Sequence, residues 1–72
     1  MTVPGGVPAL LSRGEVARVI NMSEVRVRGW IDSGALESKQ DRRNGWRYVS
    51  PVELERFADR MGLPLRWEAL LE

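Results

Sequence analysis

The sequence predicts a small, mainly α-helical domain with one β-hairpin between its second and third helices. Serines at positions 12, 23 and 50 each precede a segment with apolar residues at helical spacing. The stretch between the second and third segments lacks helical periodicity and contains Asn44-Gly45, a dipeptide typical of turns between strands. Because the chain has only 72 residues, of which 43% are apolar, it can form one small core.

The first two helices have clear start signals and a short connection. Ser12, with Glu15 three residues later, predicts a capping box for a helix that runs to about Ile20. Ser23 caps a second helix, which ends near Gly34. Only two residues separate the first helix from the second cap, and such a short connection is typical of a helix-turn-helix unit.

The third helix has an N-cap residue, a proline at its first position and, at its third position, a glutamate that can accept a hydrogen bond from the backbone N–H of the cap. These are Ser50, Pro51 and Glu53. Its predicted core stripe consists of Leu54, Phe57, Ala58 and Met61. We expect the helix to end at Gly62, since glycine is the usual residue after the last helical turn.

The chain divides into three predicted regions. Residues 1–10 contain two prolines and a Gly-Gly pair and predict a flexible N-terminal arm. Residues 11–62 form the domain with the helix-turn-helix unit and the hairpin, and residues 63–72 form a C-terminal tail. The tail carries apolar side chains at helical spacing, namely Trp67, Leu70 and Leu71. This spacing is compatible with a final helical turn that docks either on the body or on a neighbouring copy, and the alternatives are an extended or a disordered tail.

The second helix has an outward face suited to DNA. Its inward face consists of Val27, Trp30 and Ile31. At 100° per residue, this places Val25 and Gly29 in the middle of the opposite face and Arg26 and Arg28 on its flanks, with Ser23 at its N-terminal end. A narrow centre between two guanidinium groups suits entry into a major groove, which is about 12 Å wide.

Gly29 supports this prediction because an interior glycine costs a helix roughly 0.5–1 kcal/mol relative to alanine. Two explanations are open. Either another helix of the same protein packs closely against Gly29, or DNA approaches it closely.

The predicted hairpin holds the strongest local positive charge of the chain. Between residues 38 and 48 a single acidic residue, Asp41, faces four basic ones: Lys39, Arg42, Arg43 and Arg47. Such a hairpin can follow a phosphate strand or enter a minor groove, and the alternative is a solvated loop. Trp46 at the turn is expected either to pack beneath the hairpin or to contact DNA.

The composition argues against an enzyme. The chain has neither cysteine nor histidine, so catalysis would require a carboxylate pair or a Lys/Ser pair held in a pocket, for which 72 residues leave little room. We therefore expect no catalytic residues, no metal, no cofactor and no small-molecule substrate. Since no apolar run approaches the roughly 18 residues of a membrane span, we expect a cytoplasmic protein without a membrane partner.

Four segments of the chain carry a family resemblance: LSRGEVA at residues 11–17, SEVRVRGWI at 23–31, GAL at 34–36 and GWRY at 45–48. Their order resembles the MerR-like winged helix-turn-helix family and, within it, the small phage excisionases, also called recombination directionality factors. The resemblance covers about residues 11–61. It implies a recognition helix with contacts from Val25, Arg26, Arg28 and Gly29, and a wing with contacts from Arg42, Arg43 and Arg47.

The same resemblance implies an architectural role. Proteins of this kind bind an attachment site as several adjacent copies, bend the DNA and help a phage tyrosine integrase to excise the prophage, without catalytic activity of their own. The implied source is a temperate phage of an actinobacterium, and the implied place of action is the nucleoid of its bacterial host cell.

Two positions depart from the family pattern. Many relatives have an arginine where Gly29 stands and a histidine or arginine where Trp46 stands, so the base contacts are expected to differ. We also expect no long dimerisation helix of the MerR type after residue 62. The alternatives are a small MerR-like transcriptional regulator, the DNA-binding part of a phage terminase small subunit, and an adaptor that binds a protein through its apolar tail.

The charge distribution predicts how copies assemble. Residues 1–49 hold eight basic and five acidic residues, whereas residues 50–72 hold three basic and five acidic ones. We therefore expect head-to-tail contacts on direct repeats of the DNA site, between a basic patch near the wing and the C-terminal surface of the next copy. The self-association residues of that surface are Trp67, Glu68, Leu70 and Leu71.

Overall fold

The computed structural model describes residues 5–71, which form three α-helices, a two-stranded antiparallel hairpin and a short 3-10 helix. The helices are α1 (Arg13–Ile20), α2 (Glu24–Ser33) and α3 (Pro51–Met61), the strands are β1 (Lys39–Gln40) and β2 (Arg47–Tyr48), and the 3-10 helix is Trp67–Leu70. This order confirms the prediction of a mainly α-helical domain with a hairpin between its second and third helices.

Local capping interactions fix the start of α1 as the sequence predicts. The Ser12 hydroxyl accepts a hydrogen bond from the Glu15 backbone N–H at 3.2 Å, and the Glu15 carboxylate accepts one from the Ser12 N–H at 2.9 Å. The predicted capping box is therefore confirmed.

The burial of α2 also follows the predicted pattern. Ser23 caps the helix by accepting from the Arg26 N–H at 3.2 Å. Val27 and Ile31 are buried, and Trp30 is half-buried, with its ring centroid 5.0 Å from that of Phe57. Tilted aromatic contacts at this distance are favourable, so α2 is held against α3 through its inward face.

Two predictions for α3 are wrong. Ser50 caps the helix, but the predicted hydrogen bond from the Ser50 backbone N–H to the Glu53 carboxylate is not formed. The Glu53 carboxylate instead accepts a hydrogen bond from the Arg56 guanidinium at 3.4 Å. Met61, predicted to be a core residue, is 51% exposed.

The reason for the exposure of Met61 lies in the end of the helix. The chain reverses through a left-handed Gly62, and the Leu63 N–H donates to the Ala58 carbonyl at 2.9 Å. In this type of helix end the residue after the glycine folds back onto the last turn. Leu63 accordingly packs on the core in place of Met61.

The core draws apolar side chains from every helix and from the segments that flank the hairpin. Its buried members are Leu11, Val16, Ala17, Val19, Ile20, Val27, Ile31, Leu36, Val49, Leu54, Phe57 and Trp67. The segment before α1 joins the end of the hairpin through two backbone hydrogen bonds between Leu11 and Val49, at 2.7 and 2.8 Å. These bonds fix the position of the hairpin relative to α1.

The C-terminal segment forms a short helical turn that docks on the body of its own chain, which is the first of the two predicted docking sites. The Arg66 backbone N–H donates to the Val19 carbonyl at 2.8 Å, and the Arg18 guanidinium donates to the Ala69 carbonyl. Trp67 is 5% exposed and belongs to the core. The 3-10 helix therefore packs against the C-terminal half of α1.

The two ends of the chain are described in part. Residues 1–4 of the predicted arm and Glu72 of the tail lie outside the described residues. Within the arm, Val7 is half-buried and packs against the core. None of the helices in residues 5–71 combines the length and the apolar character needed to cross a bilayer.

Candidate nucleic-acid interface

The outward face of α2 is exposed along its whole length. Val25 is 81% exposed, and Arg26, Arg28 and Gly29 are exposed with it. Ser23 is also exposed, although its hydroxyl already accepts from the Arg26 N–H. All five residues predicted on this helix are thus exposed.

The structure decides between the two explanations for Gly29. A Cβ atom added there would meet no atom within 4 Å in the part of the chain that the structure describes. No neighbouring helix of this part of the protein therefore requires a glycine at this position. The packing explanation is wrong, and close approach of an external partner stays a prediction.

The hairpin closes with a longer loop than the Asn44-Gly45 pair alone would form. Asp41 and Trp46 close the loop, because the Asp41 N–H donates to the Trp46 carbonyl at 2.7 Å. The Asp41 carboxylate accepts from the Arg43 N–H at 2.7 Å, and Gly45 has the positive φ of 73° that this reversal requires. Residues 42–45 consequently form the tip, where Arg42 and Arg43 are exposed.

The strand register separates the remaining basic residues of the hairpin. Lys39 lies opposite Tyr48 and Gln40 lies opposite Arg47. Because directly paired residues point to the same side and neighbours point to opposite sides, Lys39 and Arg47 lie on different faces. Arg47 lines the cleft towards α2, whereas Lys39 lines a second cleft that also contains Glu53. The structure does not bring Lys39 together with the other predicted DNA-binding residues.

A cleft of about 280 Å³ lies between α2 and the hairpin. It is lined by Arg13, Arg28, Ile31, Asp32, Asn44, Gly45, Trp46 and Arg47. Three guanidinium groups and one carboxylate therefore border the space between the two elements. Of the residues predicted to contact DNA, Arg28 lines the cleft from α2, and Trp46 and Arg47 line it from the hairpin.

Trp46 lies at the edge of this cleft and is 55% exposed. The guanidinium carbon of Arg13 lies 5.7 Å from the centre of its ring, a distance compatible with a cation–π contact. Trp46 is therefore not buried beneath the hairpin. It joins the first turn of α1 to the hairpin on the side that faces the cleft.

Arg13 is the residue that the sequence analysis missed. Residues 12–15 carry a capping pattern, which gives no indication of a surface role for Arg13. A signal was nevertheless available, since a basic residue in the first turn of a helix opposes the helix dipole and gains nothing from it. Such a residue needs another reason for its position, and here that reason is its place beside Trp46 in the cleft.

Arg28 forms an exposed ion pair within α2. Its Nε lies 3.7 Å from Oδ2 of Asp32, and the two side chains are 68% and 62% exposed. Exposed pairs of this kind contribute about 0–1 kcal/mol. Arg28 can therefore exchange Asp32 for a phosphate or a base edge at little cost.

The predicted self-association residues do not form one exposed surface. Trp67 is buried in its own core, so the expectation that it contacts a neighbouring copy is wrong. The reason is the docking of the 3-10 helix on α1, which encloses the indole ring. Leu70 is half-buried against the core, while Glu68 and Leu71 are exposed.

Comparison with known proteins adds no relative. The chain matches no family model, no curated protein and no solved structure. Among residues 5–71, acidic side chains do not gather into groups of three or more that could hold a metal ion.

Proposed function

We propose that this protein is a winged helix-turn-helix module that binds double-stranded DNA and has no catalytic role. One observation carries the proposal: Arg28 of α2 and Arg47 of the basic hairpin line the same cleft, so a single duplex can contact both elements. In winged helix-turn-helix proteins a recognition helix occupies the major groove while a hairpin contacts the backbone beside it, and the positions of α2 and the hairpin suit this arrangement.

The shape of α2 supports its insertion into the major groove. Val25 and Gly29 form a narrow centre, and the open space beside Gly29 allows the helix backbone to come close to the base edges. Arg26 and Arg28 flank this centre and can reach phosphates or the O6/N7 edge of guanine. The helix thus combines close fit with charge on both sides.

The hairpin and the first turn of α1 supply backbone contacts. Arg42 and Arg43 at the tip and Arg47 on β2 are directed to phosphates or to the adjacent minor groove. Arg13 stacks on Trp46 and adds a positive charge between the hairpin and α2. We propose that this pair holds the hairpin at a fixed distance from α2, so that both elements engage the same duplex.

The proposed biological role is that of a phage excisionase acting at an attachment site together with a tyrosine integrase, in the cytoplasm of a bacterial host. The sequence resemblance supports this role. A single module of this kind buries only about 600–1,000 Å² of its own surface on DNA, which favours the binding of several adjacent copies and bending of the DNA. We propose head-to-tail contacts between the basic hairpin of one copy and a surface with Glu68 and Leu71 on the next.

Selection from a random duplex library tests DNA binding directly. The expected result is enrichment of a defined sequence, with affinity that falls steeply with salt, because up to six guanidinium groups can each add roughly −0.9 to the log–log slope. They are Arg13, Arg26, Arg28, Arg42, Arg43 and Arg47. The absence of an enriched sequence together with a flat salt response would contradict the proposal.

A second experiment tests the role. On attachment-site DNA we expect protected tandem repeats, a bend, and cooperative loading that drops when Glu68→Lys is combined with Leu71→Ser. A matched double substitution on α3, Asp59→Lys with Met61→Ser, should leave cooperativity unchanged, since both residues are exposed elsewhere on the molecule. Protection of a promoter operator without cooperativity would instead favour a transcriptional regulator.

A further inference from the structure

The most exposed large apolar side chain in residues 5–71 lies in the middle of the surface proposed to face DNA. Val25 is 81% exposed, whereas the other exposed apolar side chains range from 46% to 55%. Val25 is the second residue of α2, in the N-terminal part of the helix. In helix-turn-helix proteins it is the N-terminal residues of the recognition helix that contact base edges.

The surroundings of Val25 leave room for a base but offer no protein partner. Gly29 follows one turn later on the same face, where a Cβ atom would meet nothing within 4 Å in the described residues. Its neighbours in the chain are the exposed Glu24 and Arg26, and the exposed Arg28 follows one turn later. An exposed apolar side chain thus lies in the first turn of α2, with two guanidinium groups within one turn of it.

The chemistry of the major groove narrows what can contact this side chain. Base edges there present hydrogen-bond donors and acceptors, which an isopropyl group cannot satisfy and would cut off from water. The one apolar group in the groove is the C5 methyl group of thymine.

We infer that Val25 packs against a thymine methyl group and thereby specifies a T·A pair in each bound site. This inference rests on the proposed DNA-binding function. The two arginines position the helix over this base pair and contribute phosphate or guanine contacts beside it. Val25 is in this account a specificity-determining residue, whose contribution is apolar and independent of salt.

Replacement of thymine by uracil tests this inference because it removes the methyl group and leaves every hydrogen-bonding group in place. The site is first selected from a random duplex library with the wild-type protein, and each thymine is then replaced in turn. We expect one position at which deoxyuridine weakens binding about fourfold, the equivalent of one buried methylene group. The salt dependence should stay the same, since no phosphate contact is lost.

The variant Val25→Ala completes the test. It should lose affinity for the thymine site and show no further loss when uracil replaces thymine at the sensitive position. Alanine has the highest helix propensity, so the variant is expected to fold, which circular dichroism verifies. Val52→Ala is the matched control, because Val52 is 55% exposed on α3 and does not line the cleft. It should retain the uracil effect in full.

The possible failures are distinguishable. If an enriched site binds tightly but no thymine is sensitive to uracil, or if Val25→Ala keeps the full uracil effect, the thymine contact is contradicted while DNA binding stands. If no duplex is enriched and binding is absent, both the contact and the proposed function are contradicted.

Discussion

The two ends of α1 each lie near a tryptophan, and the two tryptophans have opposite environments. At the N-terminal end, Arg13 stacks on Trp46, which is 55% exposed on the hairpin. At the C-terminal end, hydrogen bonds from Arg18 and to Val19 hold the segment that buries Trp67 to 5% exposure. One tryptophan is thus part of a surface and the other is part of the core.

This difference shows how to separate functional from structural aromatic residues in so small a chain. Trp67 contributes apolar area that the domain needs, because a core formed by about 70 residues is small. Trp46 leaves more than half of its surface in water and lines the cleft between α2 and the hairpin, so its side chain is accessible to a partner. The exposed indole is therefore the candidate for a partner contact.

The largest expected effect concerns stability. Trp67→Ala should lower the free energy of unfolding by about 3–5 kcal/mol, the range for large-to-small core changes, whereas Trp46→Ala should change it by less than about 1 kcal/mol. Urea unfolding followed by circular dichroism measures both. Equal losses would contradict the division into a structural and a surface tryptophan. Chain truncation at Gly62 removes Trp67 and is expected to behave like its substitution, so point variants are the better probes of assembly.

The next effect concerns DNA affinity. Arg28→Ala should weaken binding to the selected site by about 1–3 kcal/mol if the side chain contacts a base, with a much smaller effect on unrelated DNA. A competition titration with both duplexes measures this difference. If both affinities fell equally, Arg28 would be a phosphate contact, and its exchange from Asp32 to a base edge would be ruled out.

Neutralising the tip of the hairpin should act on all DNA alike. Arg42→Ala combined with Arg43→Ala is expected to make the log–log salt slope shallower by about 1.8, since each lost phosphate contact accounts for roughly 0.9. The matched control is Arg56→Ala combined with Arg66→Ala, which removes the same charge from exposed positions away from the cleft. A double variant at the tip that binds like wild type would show the hairpin to be a solvated loop.

The smallest expected effect is the coupling between Arg13 and Trp46. A double-mutant cycle with Arg13→Ala and Trp46→Ala should give a coupling energy of about 0.5–1 kcal/mol in DNA binding, the range for an exposed cation–π contact. Strict additivity would mean that the two residues contact DNA independently and that Arg13 does not position the hairpin.

Much of the fold follows from local signals in the sequence. Ser12, Ser23 and Ser50 begin their helices as predicted, because capping depends on residues that are close in the chain. The exposure of Met61 and the burial of Trp67 were not predictable in this way. Met61 is exposed because the chain reverses at Gly62 and Leu63 folds back onto the last turn, and Trp67 is buried because the C-terminal segment docks on α1, a tertiary contact that the helical spacing of the tail does not specify.

The candidate site was predictable to a similar extent. The outward face of α2 follows from helical geometry alone, and its exposure is confirmed for Val25, Arg26, Arg28 and Gly29. The separation of Lys39 from Arg47 depends on the strand register, and the position of Arg13 beside the hairpin depends on the Leu11–Val49 bridge. The strand register and the Leu11–Val49 bridge both pair residues that are far apart in the chain, and composition or charge counts do not reveal such pairings.

Mapping of the DNA-contacting surface by nuclear magnetic resonance tests the central claim most directly. A selected duplex is titrated into ¹⁵N-labelled full-length protein, and the shifts of backbone and indole N–H signals are followed. We predict that the largest changes occur in residues 23–29 of α2, in residues 42–47 of the hairpin and at the Trp46 indole, with little change at the Trp67 indole. Changes confined to α3 and the C-terminal segment, with α2 and the hairpin unaffected, would contradict the assignment of this surface to DNA.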